Sequence, residues 1–243
     1  MKAMIMSAGK GTRLGEITRS MPKVLVDING KSLLQHAVEY CCSYGFDDII
    51  VNVHYLADMV EEEIKRLNTK GFRISVSDER ELLLENGGGL YKARHFFDKN
   101  PFLVYNADIV TDLDLSLLLD LHLEKKALAT LAVRERPGSR FLLTDKDGVL
   151  RGWRNVSTGE EILRADSNEG LKAIGFSSVQ IIDPEIFSYM REGIYTVVDL
   201  YLELAATGRI LTRRFDEGYW FNVGTPESLE NVREFLKSSR TTW

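Results

Sequence analysis

Over its first 115 residues the chain alternates short apolar runs with amphipathic stretches. Residues 2–7 make an apolar run of strand length, and residues 49–53, 72–76 and 102–105 repeat it, the last with strong β propensity. Between these runs Ser32 is placed to cap a helix in which Leu33, Ala37 and Cys41 recur every four residues and which Gly45 ends. Leu56, Val60, Ile64 and Leu67 line one face of a second helix, and a third is expected over residues 90–97, after the glycines at 87–89. Strands and helices in alternation predict an α/β fold, a mixed, mainly parallel sheet with helices on both faces. Beyond residue 116 the pattern is less regular. Residues 141–144 and 149–153 flank the turn Asp145-Lys146-Asp147-Gly148 as a hairpin, a strand follows over 171–182, and a last helix starts with Thr225 as cap and Pro226 at its first position.

Composition narrows the setting. A chain of 243 residues with 44% hydrophobic content buries its core as one large domain, 1–243. A net charge of −5 speaks against a surface that coats polymeric nucleic acid, which requires a basic face. The two cysteines, Cys41 and Cys42, are adjacent on a predicted helix and too constrained to bridge each other, which points to a reducing compartment. The apolar run at 3–6 is too short for a secretory leader, and no segment approaches a membrane span. A cytoplasmic enzyme without nucleic-acid or membrane partners is expected.

The chemistry starts where the first strand ends. It runs straight into Ser7-Ala8-Gly9-Lys10-Gly11-Thr12-Arg13-Leu14, and Pro22-Lys23 follows shortly. Glycines let backbone N–H groups approach a polyphosphate closely, and Arg13 and Lys23 supply charge-assisted bonds that amides alone cannot. The loop fits neither G-x-G-x-x-G nor G-x-x-x-x-G-K-[ST], and a bare G-x-G is equally a turn that relieves backbone strain; the two cations in register favour phosphate. In open α/β sheets the ligand crevice lies at the carboxyl ends of the strands, where residues 9–13, His54 and Asp108 would share one rim. Asp108 is the candidate magnesium ligand, since that ion takes hard oxygen donors, although a turn aspartate in solvent has the same appearance. His36, His95 and His122 fall on predicted helices without metal-ligand spacing. His54 reads as a rim residue, because phosphates already ionised at neutral pH need no strong base to react.

The run Ala8-Gly9-Lys10-Gly11-Thr12-Arg13-Leu14 with Pro22-Lys23 resembles the signature of the sugar-1-phosphate nucleotidyltransferases, the NDP-sugar pyrophosphorylases. Asn52-Val53-His54-Tyr55-Leu56, Glu85-Asn86-Gly87-Gly88-Gly89, Asn106-Ala107-Asp108 and Phe221-Asn222-Val223-Gly224-Thr225 follow in that family's order. Chain length and the E-x-G-G-G pattern are most similar to the N-acetylmuramate-1-phosphate uridylyltransferases and the mannose- or heptose-1-phosphate guanylyltransferases. The resemblance implies a Rossmann-like fold of the nucleotide-diphospho-sugar transferase type, with residues 1–115 taking the nucleotide and 116–243 the sugar phosphate. It implies magnesium-dependent transfer of a nucleotidyl group from an NTP, GTP or UTP, to a sugar-1-phosphate, with release of pyrophosphate. By the same resemblance Ala8, Gly9, Gly11 and Thr12 bind the nucleotide's phosphates. Arg13, Lys23 and Asp108 carry catalysis: Arg13 at the pyrophosphate, Lys23 at the α-phosphate or sugar phosphate, and Asp108 at magnesium. Glu85, Gly87, Gly88 and Gly89 lie along base and ribose, and Gly175 and Asp199 belong to the sugar pocket. Two positions depart from the pattern. Asn86 stands where threonine is common, and Asn222 stands where an aspartate generally helps hold magnesium; an amide oxygen still ligates a hard cation but brings no charge. A catalytically weakened, nucleotide-sugar-binding regulatory protein is therefore the alternative, and a glycosyltransferase, which does not account for the loop beside the first strand, ranks last.

Overall fold

In the computed structural model, which describes residues 1–165 and 167–238, the first half supplies β1 (Lys2–Met6), a short pair β2 (Asp27–Ile28) and β3 (Lys31–Ser32), β4 (Asp48–Val53), β5 (Arg73–Asp78), β6 (Phe102–Asn106) and β7 (Ile109–Thr111). The second half supplies β8 (Ala129–Arg134), β9 (Arg140–Thr144), β10 (Leu150–Asn155), β11 (Glu160–Leu163), β12 (Lys172–Ile182), β13 (Ile210–Arg214) and β14 (Trp220–Asn222). Ten of these strands form one sheet in the order β11-β10-β9-β12-β6-β1-β4-β5, with β8 pairing β12 and β13 pairing β8. The run β6-β1-β4-β5 is parallel, as the strand and helix alternation predicts. β12 joins it antiparallel, so the expected parts 1–115 and 116–243 share a continuous sheet.

Period-two alternation sorts the core into two layers. Ala3 and Ile5 of β1, with Leu103 and Tyr105 of β6, pack beneath α1 (Leu33–Ser43) and α2 (Ala57–Thr69); Met4, Ile50 and Val104 face α3 (Glu85–Lys92) on the other side. Ser32 caps α1, accepting from the Gln35 N–H at 3.0 Å, and Gly45 takes the left-handed backbone (φ 79) just past its end. In α2 the buried face is Ala57, Val60, Ile64 and Leu67. Leu56 lies outside it: the turn out of β4 makes it the left-handed cap (φ 48), 37% exposed. The remaining helices are α4 (Leu115–Lys125), α5 (Val197–Leu204) and α6 (Pro226–Ser238). Thr225 caps α6 through the Ser228 N–H, as predicted. Among the described residues no helix is long and apolar enough to cross a membrane.

The expected helix at 90–97 starts at Glu85 instead, and its glycines lie inside it. Glycine costs roughly 1 kcal/mol against alanine in a helix interior, so three in a row require a tertiary cause. The cause is close approach. A Cβ on Gly87 would stand 2.7 Å from the Tyr195 ring, one on Gly88 2.0 Å from the Gly193 carbonyl oxygen, and one on Gly89 2.5 Å from a Glu79 carboxylate oxygen. The Gly87 and Gly88 N–H groups donate to the Tyr195 carbonyl at 3.0 and 3.4 Å. Gly88→Ala should therefore cost about 1–3 kcal/mol or more, as overpacked cores do, and lower the urea midpoint accordingly. An unchanged midpoint would show that α3 does not depend on this contact.

Candidate active site

The carboxyl ends of the parallel strands are fastened together by a buried polar chain. The Ser7 N–H donates to the Asn52 side-chain oxygen at 2.7 Å, the Ser7 hydroxyl donates to the Asn52 carbonyl, and the Asn52 amide donates to Glu79 Oε1 at 2.9 Å. Glu79, 1% exposed, donates its own N–H to Val53 at 2.8 Å. Burial pushes its carboxyl pKa upward, against the Asn52 and Leu84 hydrogen bonds that favour the anion.

Above this chain the glycine loop lines a cavity of about 500 Å³ with Lys10, Arg13, Glu85 and Asn86 on its walls. Gly9 has open space around it. Gly11 is left-handed (φ 64), and a Cβ there would meet Lys23 Cβ at 2.7 Å, so the loop closes over the lysine stem only because no side chain intervenes. Thr12 opens a short 3-10 segment that is kinked at Gly15.

Strand pairing brings the second half of the chain to the same place. β7 pairs β14 with Ile109 opposite Asn222, and the Val223 N–H donates to the Asp108 carbonyl at 2.8 Å. Asp108 and Asn222, 114 positions apart, become neighbours. Lys23, 8% exposed, donates to Asp108 Oδ2 at 2.5 Å, while Asp108 Oδ1 is buried without a hydrogen-bond partner. Arg13 is held by its neighbour Leu14, which packs with Val110, Val223 and Leu229 in a small separate core. Its guanidinium and the Asn222 amide oxygen each lie 3.1 Å from where a Gly224 Cβ would be, so Gly224 keeps open the space between them. Arg13 and Gly224 also line a second cavity, of about 280 Å³, whose further walls include Asn222, Trp220 and Arg136. Two chambers thus meet at Arg13 and Gly224.

A family model described as nucleotidyl transferase matches residues 2–147. The chain is 32% identical over 234 residues to an N-acetylmuramate alpha-1-phosphate uridylyltransferase of Caulobacter vibrioides, with 93% of each chain covered. This chain belongs to the nucleotidyl transferase family. It is also 31% identical to a mannose-1-phosphate guanyltransferase of Yarrowia lipolytica, covering 93% of this chain and 61% of that one. Solved structures share its fold, two of them from T. maritima and Yersinia pseudotuberculosis. An inositol-1-phosphate CTP transferase from T. maritima has a TM-score of 0.77 at 16% identity, with 97% of this chain and 94% of that chain covered. HddC from Yersinia pseudotuberculosis complexed with GMP-PN has a TM-score of 0.73 at 21% identity, with 97% and 99% covered.

In this nucleotidyl transferase the donors near Asp108 suit a magnesium ion. The carboxylate oxygen without a partner, in the turn between β6 and β7, and the amide oxygen of Asn222 at the end of β14 are hard donors that would hold the ion, and magnesium takes few protein ligands, leaving the rest to substrate phosphates and water. No cluster of three or more His, Cys, Asp and Glu able to cage a metal occurs among the described residues.

Several residues implied by the resemblance lie elsewhere. Gly87, Gly88 and Gly89 are not on the wall of the large cavity; their amides and missing side chains serve helix packing, whereas Glu85, left-handed at φ 57, and Asn86 do line it. Asp199 is exposed and closes a capping box with Thr196 at the start of α5, accepting from its N–H at 3.0 Å and its hydroxyl at 2.8 Å. Gly175 pairs with Arg134 across β12 and β8, and the Arg136 side chain lies over it, so arginine rather than glycine backbone meets the second cavity. His54 Nδ1 donates to the Glu79 carbonyl, 2.7 Å away, a structural tie at the rim. Lys10, Asn52, Glu79 and Arg136 join the site without having been singled out from sequence; Asn52 lay inside a quoted motif, while Arg136 had no local signal at all.

The Glu79 carboxyl carries a pH signature. Its folded pKa lies above the unfolded one, so the folded chain holds the extra proton between the two values and stability falls as pH rises through that window. Glu79→Gln should unfold at a higher temperature than the native chain at pH 8, and the gap should close at pH 4; a gap independent of pH would remove the titration as its cause.

Proposed function

We propose that the chain transfers a nucleotidyl group from an NTP, GTP or UTP, to a sugar-1-phosphate and releases pyrophosphate. The observation that carries this reading is the meeting of two chambers at Arg13, with the Lys23–Asp108 pair on the wall of the larger one. The glycine-loop chamber takes the nucleotide, with the amides from Ala8 to Thr12 facing its phosphates and Glu85 and Asn86 on its walls. The smaller chamber takes the acceptor. An acceptor phosphate oxygen attacks the α-phosphorus; the new P–O bond forms as the bond to the β-phosphate oxygen breaks, and the electron pair leaves with pyrophosphate. Arg13 stabilises charge growing on that leaving group, and Lys23, held in place by Asp108, neutralises the α-phosphate. Magnesium, held by Asp108 and Asn222, would neutralise phosphate charge at this junction. The free cysteines, Cys41 buried and Cys42 half-buried, suit a reducing, cytoplasmic setting.

One observation favours a second reading, the neutral Asn222 beside Asp108, which fits a regulatory protein that binds nucleotide sugars and turns them over weakly. Pyrophosphate release from four NTPs against a panel of sugar-1-phosphates separates the two. Turnover in one cell of that matrix, abolished in Asp108→Ala and requiring less magnesium in Asn222→Asp, supports the transferase; native activity no greater than that of Asp108→Ala supports the regulator. Arg13→Ala should lower kcat on the order of 10²–10³, the loss typical of removing a donor that acts in the transition state. An unchanged kcat takes Arg13 out of the mechanism.

A further inference from the structure

The smaller cavity is built for negative charge. Its walls hold two guanidiniums, Arg13 and Arg136, and among its described lining residues there is no carboxylate. Thr225 and Ser228 also line it, so the amino-terminal end of α6 adds the positive pole of a 13-residue helix. At Asn222 the cavity carries a neutral amide.

Arg136 is set into this wall by three features. Gly175 gives it room, since a Cβ there would stand 2.5 Å from Arg136 Cγ and 2.6 Å from Nε. The Trp220 ring lies 5.5 Å from the guanidinium carbon and is itself fixed by donating to the Ser177 carbonyl at 3.0 Å. The side chain donates to the carbonyls of Pro137 and Phe176 at 3.2 and 3.3 Å. Of five guanidinium donors those two bonds use two, leaving three, and Nε is buried without a partner. No described carboxylate forms an ion pair with it, although other arginines of the second half, such as Arg209 with Glu185 and Arg214 with Glu135, do pair. A half-buried guanidinium that loses water and gains no counter-ion has an incomplete environment, which a bound anion completes.

We propose that Arg136 binds an oxyanion carried by the acceptor, either its anomeric phosphate or a carboxylate elsewhere on the sugar, and so determines which sugar phosphates this chain accepts. The inference rests on the smaller chamber being the acceptor's. Arg13 is engaged at the leaving group, which leaves Arg136 as the cavity's second fork for a planar or tetrahedral oxyanion.

Steady-state kinetics on Arg136→Met, Arg136→Lys and Gly175→Ala test it, with mannose-1-phosphate and glucose-1-phosphate as neutral sugars and glucuronate-1-phosphate and N-acetylmuramate-1-phosphate as carboxylated ones. Arg136→Met should raise the acceptor KM about 10- to 100-fold, the loss expected for one charged hydrogen-bonded contact, while the NTP KM holds. Gly175→Ala, which keeps the arginine but displaces it, should move the same parameter, and Arg136→Lys should recover part of it. A rise shared by all acceptors places the phosphate at Arg136, and a rise confined to the carboxylated ones places the carboxylate there. Calorimetric titration of each sugar-1-phosphate into the unreacted proteins supplies a readout without turnover. If the native chain releases no pyrophosphate with any pair, the proposed reaction fails, yet acceptor binding that is lost in Arg136→Met still upholds the anion site. Acceptor KM and binding unchanged in Arg136→Met, or NTP and acceptor weakened alike, overturns it.

Discussion

A three-residue strand pair holds the site together. When β7 aligns with β14, Ile109 faces Asn222, and the main chain draws Asn222 and Val223 onto Asp108 in the turn between β6 and β7. Everything chemical is arranged around that junction: Asp108 on one strand's approach, Asn222 on the other, Gly224 just beyond, and Arg13 lying against Gly224 because Leu14 is buried with Val110 and Val223. The backbone bonds of so short a ladder are weak individually. What secures them is the apolar cluster beneath, in which residues of the glycine segment, β7 and α6 bury one another.

Glycine does three different jobs in this chain, and the distinction lies in what a Cβ would touch. At Gly9 it would touch nothing, because the backbone there borders the open cavity. At Gly11 it would strike the stem of Lys23, so the glycine lets a cation thread beneath the loop that it serves. At Gly87 to Gly89 and at Gly175 it would strike the protein itself, a tyrosine ring, a backbone carbonyl, a carboxylate or an arginine. A sequence prints the same letter each time. Close backbone approach to a neighbour and close backbone approach to a substrate are chemically alike until the neighbours are known.

Charge is partitioned just as sharply. Carboxylates gather at the larger cavity, with Glu79 buried under the loop and Asp108 paired to Lys23, whereas the smaller cavity has arginines and a helix terminus without an acid among its described walls. A reaction that joins two phosphates must hold two anions in contact. In the proposed reaction, the paired carboxylate and ammonium on one side would offer a place for a metal, and the guanidinium without an ion pair on the other a place for the acceptor's own charge.

The sequence by itself determined the parallel half of the sheet, the caps at Ser32 and Thr225, and the gathering of residues 9–13 and Asp108 at the strand ends. These follow from local rules: apolar periodicity, side-chain oxygens that satisfy free amides, and the fixed direction of parallel strands. Tertiary structure decided the rest. Packing overrode propensity at Gly87 to Gly89. Arg136 became a cavity residue only because β8 pairs with β12 and Gly175 leaves it space. Contacts between residues tens of positions apart carry no local periodicity, so their chemistry is legible only once the chain has closed on itself.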